Sequence, residues 1–92
     1  MRQFVWSEEK AALLRSDRAR GNVGFEDCII AIQEGRVLAD IPNPNPAFAH
    51  QRMFVLNING YAYVVPYVQD ADVIFLKTVF PSRKHTALFL ED

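Results

Sequence analysis

Ser82, Arg83, Lys84 and His85 follow one another in the closing stretch "FPSRKHTALFLED". A serine oxygen can accept from the free N–H groups of a helix's first turn, so Ser82 is the predicted N-cap of a last helix. Arg83, Lys84 and His85 then fill its first three positions. Cations there face the positive end of the helix dipole, at a cost of about 0.3 to 1 kcal/mol each at low salt. The same arrangement makes a strong site for a phosphate or carboxylate, with Arg83 able to bind in two-pronged fashion. The bland alternative is that the three side chains pair with nearby acids or stand in solvent. On these residues alone both readings stay open.

Lys77, a little upstream, shares a face with Phe75 and Val79 if its strand alternates regularly. It either snorkels to the sheet edge or lines a cleft. Arg15, Arg18 and Arg20 complement the negative end of a first helix, or meet an acidic partner or an RNA backbone. Tyr61, Tyr63 and Tyr67 share one strand face, where tyrosines pack across strands or stack on bases. His50 reads as an exposed, incidental histidine. Asp70 and Asp72 lie in a turn with no histidine or cysteine nearby, so neither a metal site nor a cofactor is expected. Glycine patterns for phosphate loops, dinucleotides or nucleophile elbows are absent.

Ninety-two residues, half of them hydrophobic and 23% charged, fit one folded domain spanning 1–92. The formal net charge is only -1, so polyanion binding would have to come from local clustering of cations. A single cysteine excludes an internal disulfide and suits a reducing compartment. With no apolar run long enough to span a bilayer and no signal-peptide pattern, the expectation is a soluble, cytoplasmic protein with no membrane partner.

The elements that must position these groups are legible in outline. Ser7 caps a predicted helix over 8–18, with Glu8 and Glu9 in its first turn and Gly21 as its stop. Phe4 and Trp6 pack ahead of it. A second helix runs from Phe25 to Gly35, its stripe of Phe25, Cys28, Ile29 and Ile32 facing the core. Cys28 is thereby a small buried hydrophobe.

The stretch "RVLADI" reads as a strand, and "PNPNPAFAH" as an ordered or semi-ordered loop whose prolines stop regular structure. "MFVLNI", the turn Asn59-Gly60 and "YAYVVPYV" form a hairpin. A two-residue turn pairs Ile58 with Tyr61, Leu56 with Tyr63, Phe54 with Val65 and Arg52 with Tyr67. Pro66 marks a bulge or bend. "VIFLKTVF" returns as one more meander strand. The expected fold is α+β: two N-terminal helices, a four-stranded antiparallel meander and a short C-terminal helix. Both sheet faces are apolar, so two helices cover one and the C-terminal helix or a partner chain covers part of the other.

The order of "FVWSEEKAALL", a basic connector and "GFEDCIIAI" resembles the opening of BrnT-type toxins, which read F-x-W-(D/S)-x-x-K-A and then (S)-F-E-(E/D)-A. "FLKTVFPSRKHT" is similar to that family's last strand and S-(A)-R-(K/R)-A-(T) helix start. The resemblance implies a RelE-like ribonuclease fold and the toxin half of a bacterial type II toxin–antitoxin system. RNA is then the substrate and a cognate antitoxin protein the partner, in a homo-oligomer or a toxin–antitoxin heterotetramer. In such enzymes the ribose 2′-OH attacks the adjacent phosphate without a metal.

The family motifs fall here on Trp6, Lys10, Phe25, Glu26, Ser82, Arg83 and Lys84. By the resemblance, Arg83 is the phosphate clamp and Lys84 a second charge stabiliser; His85, where the family often has a small residue, is read as an acid or base from its own chemistry. Lys10 lines the same cleft or pairs with Glu26, and Ser82 and Lys77 contribute to substrate binding. The connector "RSDRARGNVG" lacks the family's Lys-His-Gly, and Gly24 stands in place of its serine cap. A non-catalytic protein-interaction domain on the same fold is the alternative.

Overall fold

Asn59 and Gly60 set the frame of the sheet. Both adopt positive φ, 57° and 81°, as a hairpin turn matching the strand twist requires. The Asn57 side chain accepts from Gly60 N–H at 3.0 Å. The four expected pairs form between β3 (Arg52–Ile58) and β4 (Tyr61–Asp70). In the computed structural model, which describes residues 2–17 and 23–91, four further strands and three helices build on this hairpin.

They are β1 (Gln3–Trp6), α1 (Glu8–Arg15), α2 (Phe25–Gln33), β2 (Val37–Pro42), β5 (Val73–Leu76), β6 (Phe80–Pro81) and α3 (Arg83–Leu90). The sheet order is β1-β5-β4-β3-β2, with β6 also paired to β4. The fold is α+β as expected, but the four-stranded meander becomes a six-stranded mixed sheet.

Two corrections account for the difference. Phe4 and Trp6 do not merely pack ahead of α1: their segment is a strand pairing in parallel with β5, Phe4 opposite Ile74 and Trp6 opposite Leu76. And "VIFLKTVF" is not one strand. Tyr67 pairs with Leu76, whereas Val64 pairs with Phe80, so one extra residue is accommodated between β5 and β6. Because side chains alternate with period two, that insertion moves Val79 to the opposite face from the one regular alternation predicts. Val79 packs with Ile74 and Leu76.

Pro66 explains where the break falls. It pairs with Met53 inside a continuous β4, and its carbonyl accepts from Lys77 N–H at 2.8 Å. In an antiparallel ladder a residue's N–H and C=O point to the same side. The proline therefore has no donor to offer the neighbouring strand at that point, and that strand departs there. The expected bend lies in the neighbour of Pro66 rather than in β4.

α1 ends at Arg15 with Ser16 as C-cap, shorter than the expected 8–18; Arg18, Arg20 and Gly21 lie outside the described residues. Ser7 caps it, accepting from Lys10 N–H at 3.3 Å. At α2, Gly24 has no side chain, and Asp27 accepts from Gly24 N–H at 2.9 Å instead. These helices close the first face of the sheet. Ala11, Leu14, Phe25, Cys28 and Ala31 pack on Phe54, Leu56, Val65, Ile74 and Leu76, and Trp6 stacks on Phe25 with ring centres 5.6 Å apart. The Cys28 thiol, pushed up to about 12 by burial and then by Asp27 and Glu26, donates to the Gly24 carbonyl at 3.4 Å. It is an inert core group, as its stripe predicts.

The tyrosines serve packing. Tyr67 stacks on Phe54 with centres 4.2 Å apart and donates to Asp40 at 2.7 Å, tying β2 to β4. The second face carries Met53, Val55, Ala62 and Val64, with Leu90 of α3 packed against them.

Candidate functional site

α3 is fastened to β4 at its very start. Ala62 N–H donates to Thr86 Oγ at 2.9 Å, Ser82 N–H donates to the Ala62 carbonyl at 2.9 Å, and Thr86 Oγ donates to the Ser82 carbonyl at 2.8 Å. Both polar backbone groups of one central-strand residue are thus spent on the first turn of α3. Helix and sheet are locked in a single geometry, and Thr86 is buried to 7% exposure.

Ser82 is the N-cap as predicted, its Oγ accepting from His85 N–H at 3.2 Å. The same Oγ lies 2.6 Å from His85 Nδ1. This serine is committed to capping and to orienting the imidazole, which leaves Nε2 as the ring nitrogen open to a ligand. His85 also stacks on Phe89, one helical turn on, with rings 6.3 Å apart and nearly parallel. Its pKa lies below the usual 6.5, first through burial and then through the neighbouring Lys84 ammonium. A neutral imidazole at neutral pH follows.

Beside α3 the second face stays open, and there His85 lines a groove of about 580 Å³ together with Lys10 and Lys77. That volume suits a ligand of nucleotide size. The floor is Met53, Val64, Pro66 and Phe80, and the far wall is the loop of residues 43–51, with Asn43, Asn45, Phe48 and Gln51 facing in. None of the described residues that line the groove carries a carboxylate. Thr78, in the break between β5 and β6, completes the lining; the departure of the strand opposite Pro66 is what carries Lys77 and Thr78 to its edge. Lys77 Nζ stands 4.8 Å from the centre of the Phe75 ring, an attraction that holds the ammonium near this face.

Of the six residues singled out in the sequence, the structure thus brings Lys10, Lys77 and His85 to one groove, with Ser82 behind His85. Arg83 and Lys84 are exposed on the same helical turn and are not part of the groove lining. His50 is exposed within the loop of residues 43–51 and is not part of the groove lining.

The wall was not found by sequence reasoning, which saw only an ordered loop. Its signal lay in the alternating asparagines and prolines. Asn43 Oδ1 accepts from Asn45 N–H and Asn45 Oδ1 accepts from Ala47 N–H, both at 3.0 Å, consecutive turns of the kind asparagine favours. A short 3-10 turn, Pro46–Phe48, follows. Asn43 N–H to the Gln51 carbonyl, 3.0 Å, closes the loop at its base.

Among the described residues no cluster of histidine, cysteine, aspartate or glutamate could hold a metal ion, and no helix is long and apolar enough to cross a membrane. Comparison with protein-family models, curated proteins and solved structures finds no match for this chain.

Proposed function

We propose that the chain is a ribonuclease of the toxin type, cleaving single-stranded RNA in the groove beside α3 and held in check by a cognate antitoxin protein. The observation that carries this reading is the placement of His85, oriented by Ser82 at 2.6 Å, in the same groove as Lys10 and Lys77. In the tautomer whose Nδ1–H donates to Ser82 Oγ, Nε2 holds the lone pair and takes the proton of the ribose 2′-OH. The 2′ oxygen then forms a bond to phosphorus while the bond from phosphorus to O5′ breaks. Lys10 and Lys77 meet the charge growing on the phosphoryl oxygens, and one of these ammonium groups protonates O5′ as it leaves. Arg83 and Lys84, exposed beside the groove, draw the RNA backbone in.

The products are a 2′,3′-cyclic phosphate and a 5′-hydroxyl. Purified protein should release fragments with those ends from mixed-sequence RNA, and His85→Gln should slow cleavage by about 100-fold or more. An intact rate in His85→Gln overturns the assignment, and an inactive wild-type protein overturns the ribonuclease reading.

A non-catalytic interaction domain is the second reading. Its support is the exposed apolar end of α3, where Leu88 and Phe89 stand side by side at 66% and 39% exposure, a surface that a protein partner would cover. Harmless expression with tight binding to a neighbouring gene product would favour it.

A further inference from the structure

Gln51 ends the groove's far wall and is only 8% exposed. Its Oε1 accepts from Asn43 Nδ2 at 3.4 Å, and its own Nε2 hydrogens meet no protein acceptor among the described residues. That nitrogen is not sealed away, since the buried side-chain polar atoms without a partner among the described residues are Trp6 Nε1 and Arg36 Nε; it stays accessible at the groove wall, where a ligand's acceptor would meet a free donor. The backbone fixes the sense of this chain of amides. Asn45 and Ala47 N–H groups are donors only, so Asn43 and Asn45 must turn their oxygens to them. Asn43 is left with its Nδ2 toward Gln51, and Gln51 must answer with oxygen.

Each side-chain amide oxygen of Asn43, Asn45 and Gln51 already accepts one hydrogen bond, and the Gln51 Nε2 hydrogens are the donor left over for the groove. Beside them Phe48, 44% exposed, offers an aromatic face, and across from them stand Lys10 and Lys77.

We propose that the 43–51 loop is a base subsite selective for a keto nucleobase, uracil or guanine, in single-stranded RNA. The proposal rests on the phosphodiester reading of the groove. Phe48 stacks on the base, Gln51 Nε2 donates to its keto oxygen, and the lysines hold the adjoining phosphate. Cytosine and adenine would turn an amino group toward Gln51 Nε2, donor against donor, and leave it unpaired.

The test uses the full chain and 2′-O-methyl oligonucleotides, which cannot be cleaved, so binding is read apart from chemistry. Fluorescence anisotropy at low salt should show oligo-U bound about fivefold or more tighter than oligo-C, the size of one hydrogen bond gained against one left unmade. Gln51→Met, close in shape, should bring that ratio to about one by weakening oligo-U alone. Phe48→Ala, at an exposed position, should weaken both about tenfold.

Equal binding of oligo-U and oligo-C by the wild-type protein overturns the base subsite and leaves the phosphodiester groove standing. Absence of binding to either overturns both. A ratio that persists in Gln51→Met, with circular dichroism showing a folded variant, overturns the role of Gln51. Should that variant fail to fold, the wild-type ratio and the Phe48→Ala loss decide the matter.

Discussion

The two faces of the sheet carry similar apolar side chains and meet different fates. On the first, Phe54, Leu56, Val65, Ile74 and Leu76 are sealed under α1 and α2. On the second, Met53, Val55, Ala62 and Val64 are buried too, under α3 and a rim of Leu38, Ala39, Ile41 and Phe80, but Met53, Val64 and half-buried Phe80 also line the floor of a groove. The basic and amide side chains of the candidate site collect at that uncovered margin. Alternation along the strands supplied both faces with material for a core; a helix of eight residues is too small to close the second one. Function has the room that packing left.

If that contrast is right, truncating the two faces should differ sharply. Phe25→Ala removes a ring with no exposed surface and should destabilise the protein by about 3 to 5 kcal/mol in urea unfolding. Phe80→Ala, half-buried on the groove floor, should cost about 1 to 1.5 kcal/mol, roughly half the value of full burial. Equal losses would mean that the second face is closed in solution, by a partner copy or otherwise.

The next largest effect concerns the clamp that sets α3 against β4. Thr86→Val keeps the side chain's shape and leaves the buried Ala62 N–H without its acceptor, at a cost of about 1 to 3 kcal/mol. RNA cleavage should fall more than global stability explains, because His85 sits on the turn that Thr86 fixes. Full activity in a destabilised Thr86→Val protein would show that His85 is placed by Ser82 alone.

Lys77→Met tests the groove without touching the core. Its ammonium is exposed, so the melting temperature should hold, while RNA affinity should drop about tenfold and the salt dependence of binding should lessen by one contact. A drop in stability instead, with RNA binding intact, would make the contact with Phe75 a purely structural one.

The hairpin register, the caps of α1 and α3 and the burial of Cys28 were readable because each depends on local rules: turn chemistry, a serine before a helix, a stripe of helical period. The parallel strand β1 was not, since Gln3–Trp6 is short and its partner lies far along the chain. Long-range pairing leaves little trace in a four-residue segment. The break after Leu76 was half readable. Pro66 announced an irregularity, but a missing donor disturbs the strand that would have received it, and the neighbour is known only once the sheet order is. At the site, Lys77, Ser82 and His85 were visible as types out of place. Gln51 and Phe48 were not, because their role comes from a loop folded back by asparagine turns.

The smallest effect reads the electrostatics of the site itself. The His85 pKa is held below 6.5 first by burial and then by Lys84. Removing the second cause in Lys84→Ala should raise it, while burial keeps it under 6.5; ring chemical shifts of His85 followed across pH would measure the change. The same shift has a signed consequence for stability. A histidine whose pKa is lowered by folding takes up its proton more readily in the unfolded chain, so wild-type stability should decline as pH falls from 6.5 toward the folded value and level off below it. In Lys84→Ala that window narrows and the decline shrinks. Cleavage, if His85 is the base, should lose its acid limb at higher pH in the variant than in the wild type. An unmoved His85 titration would mean that solvent screens the Lys84 ammonium, and that burial beside Ser82 is what keeps the imidazole neutral.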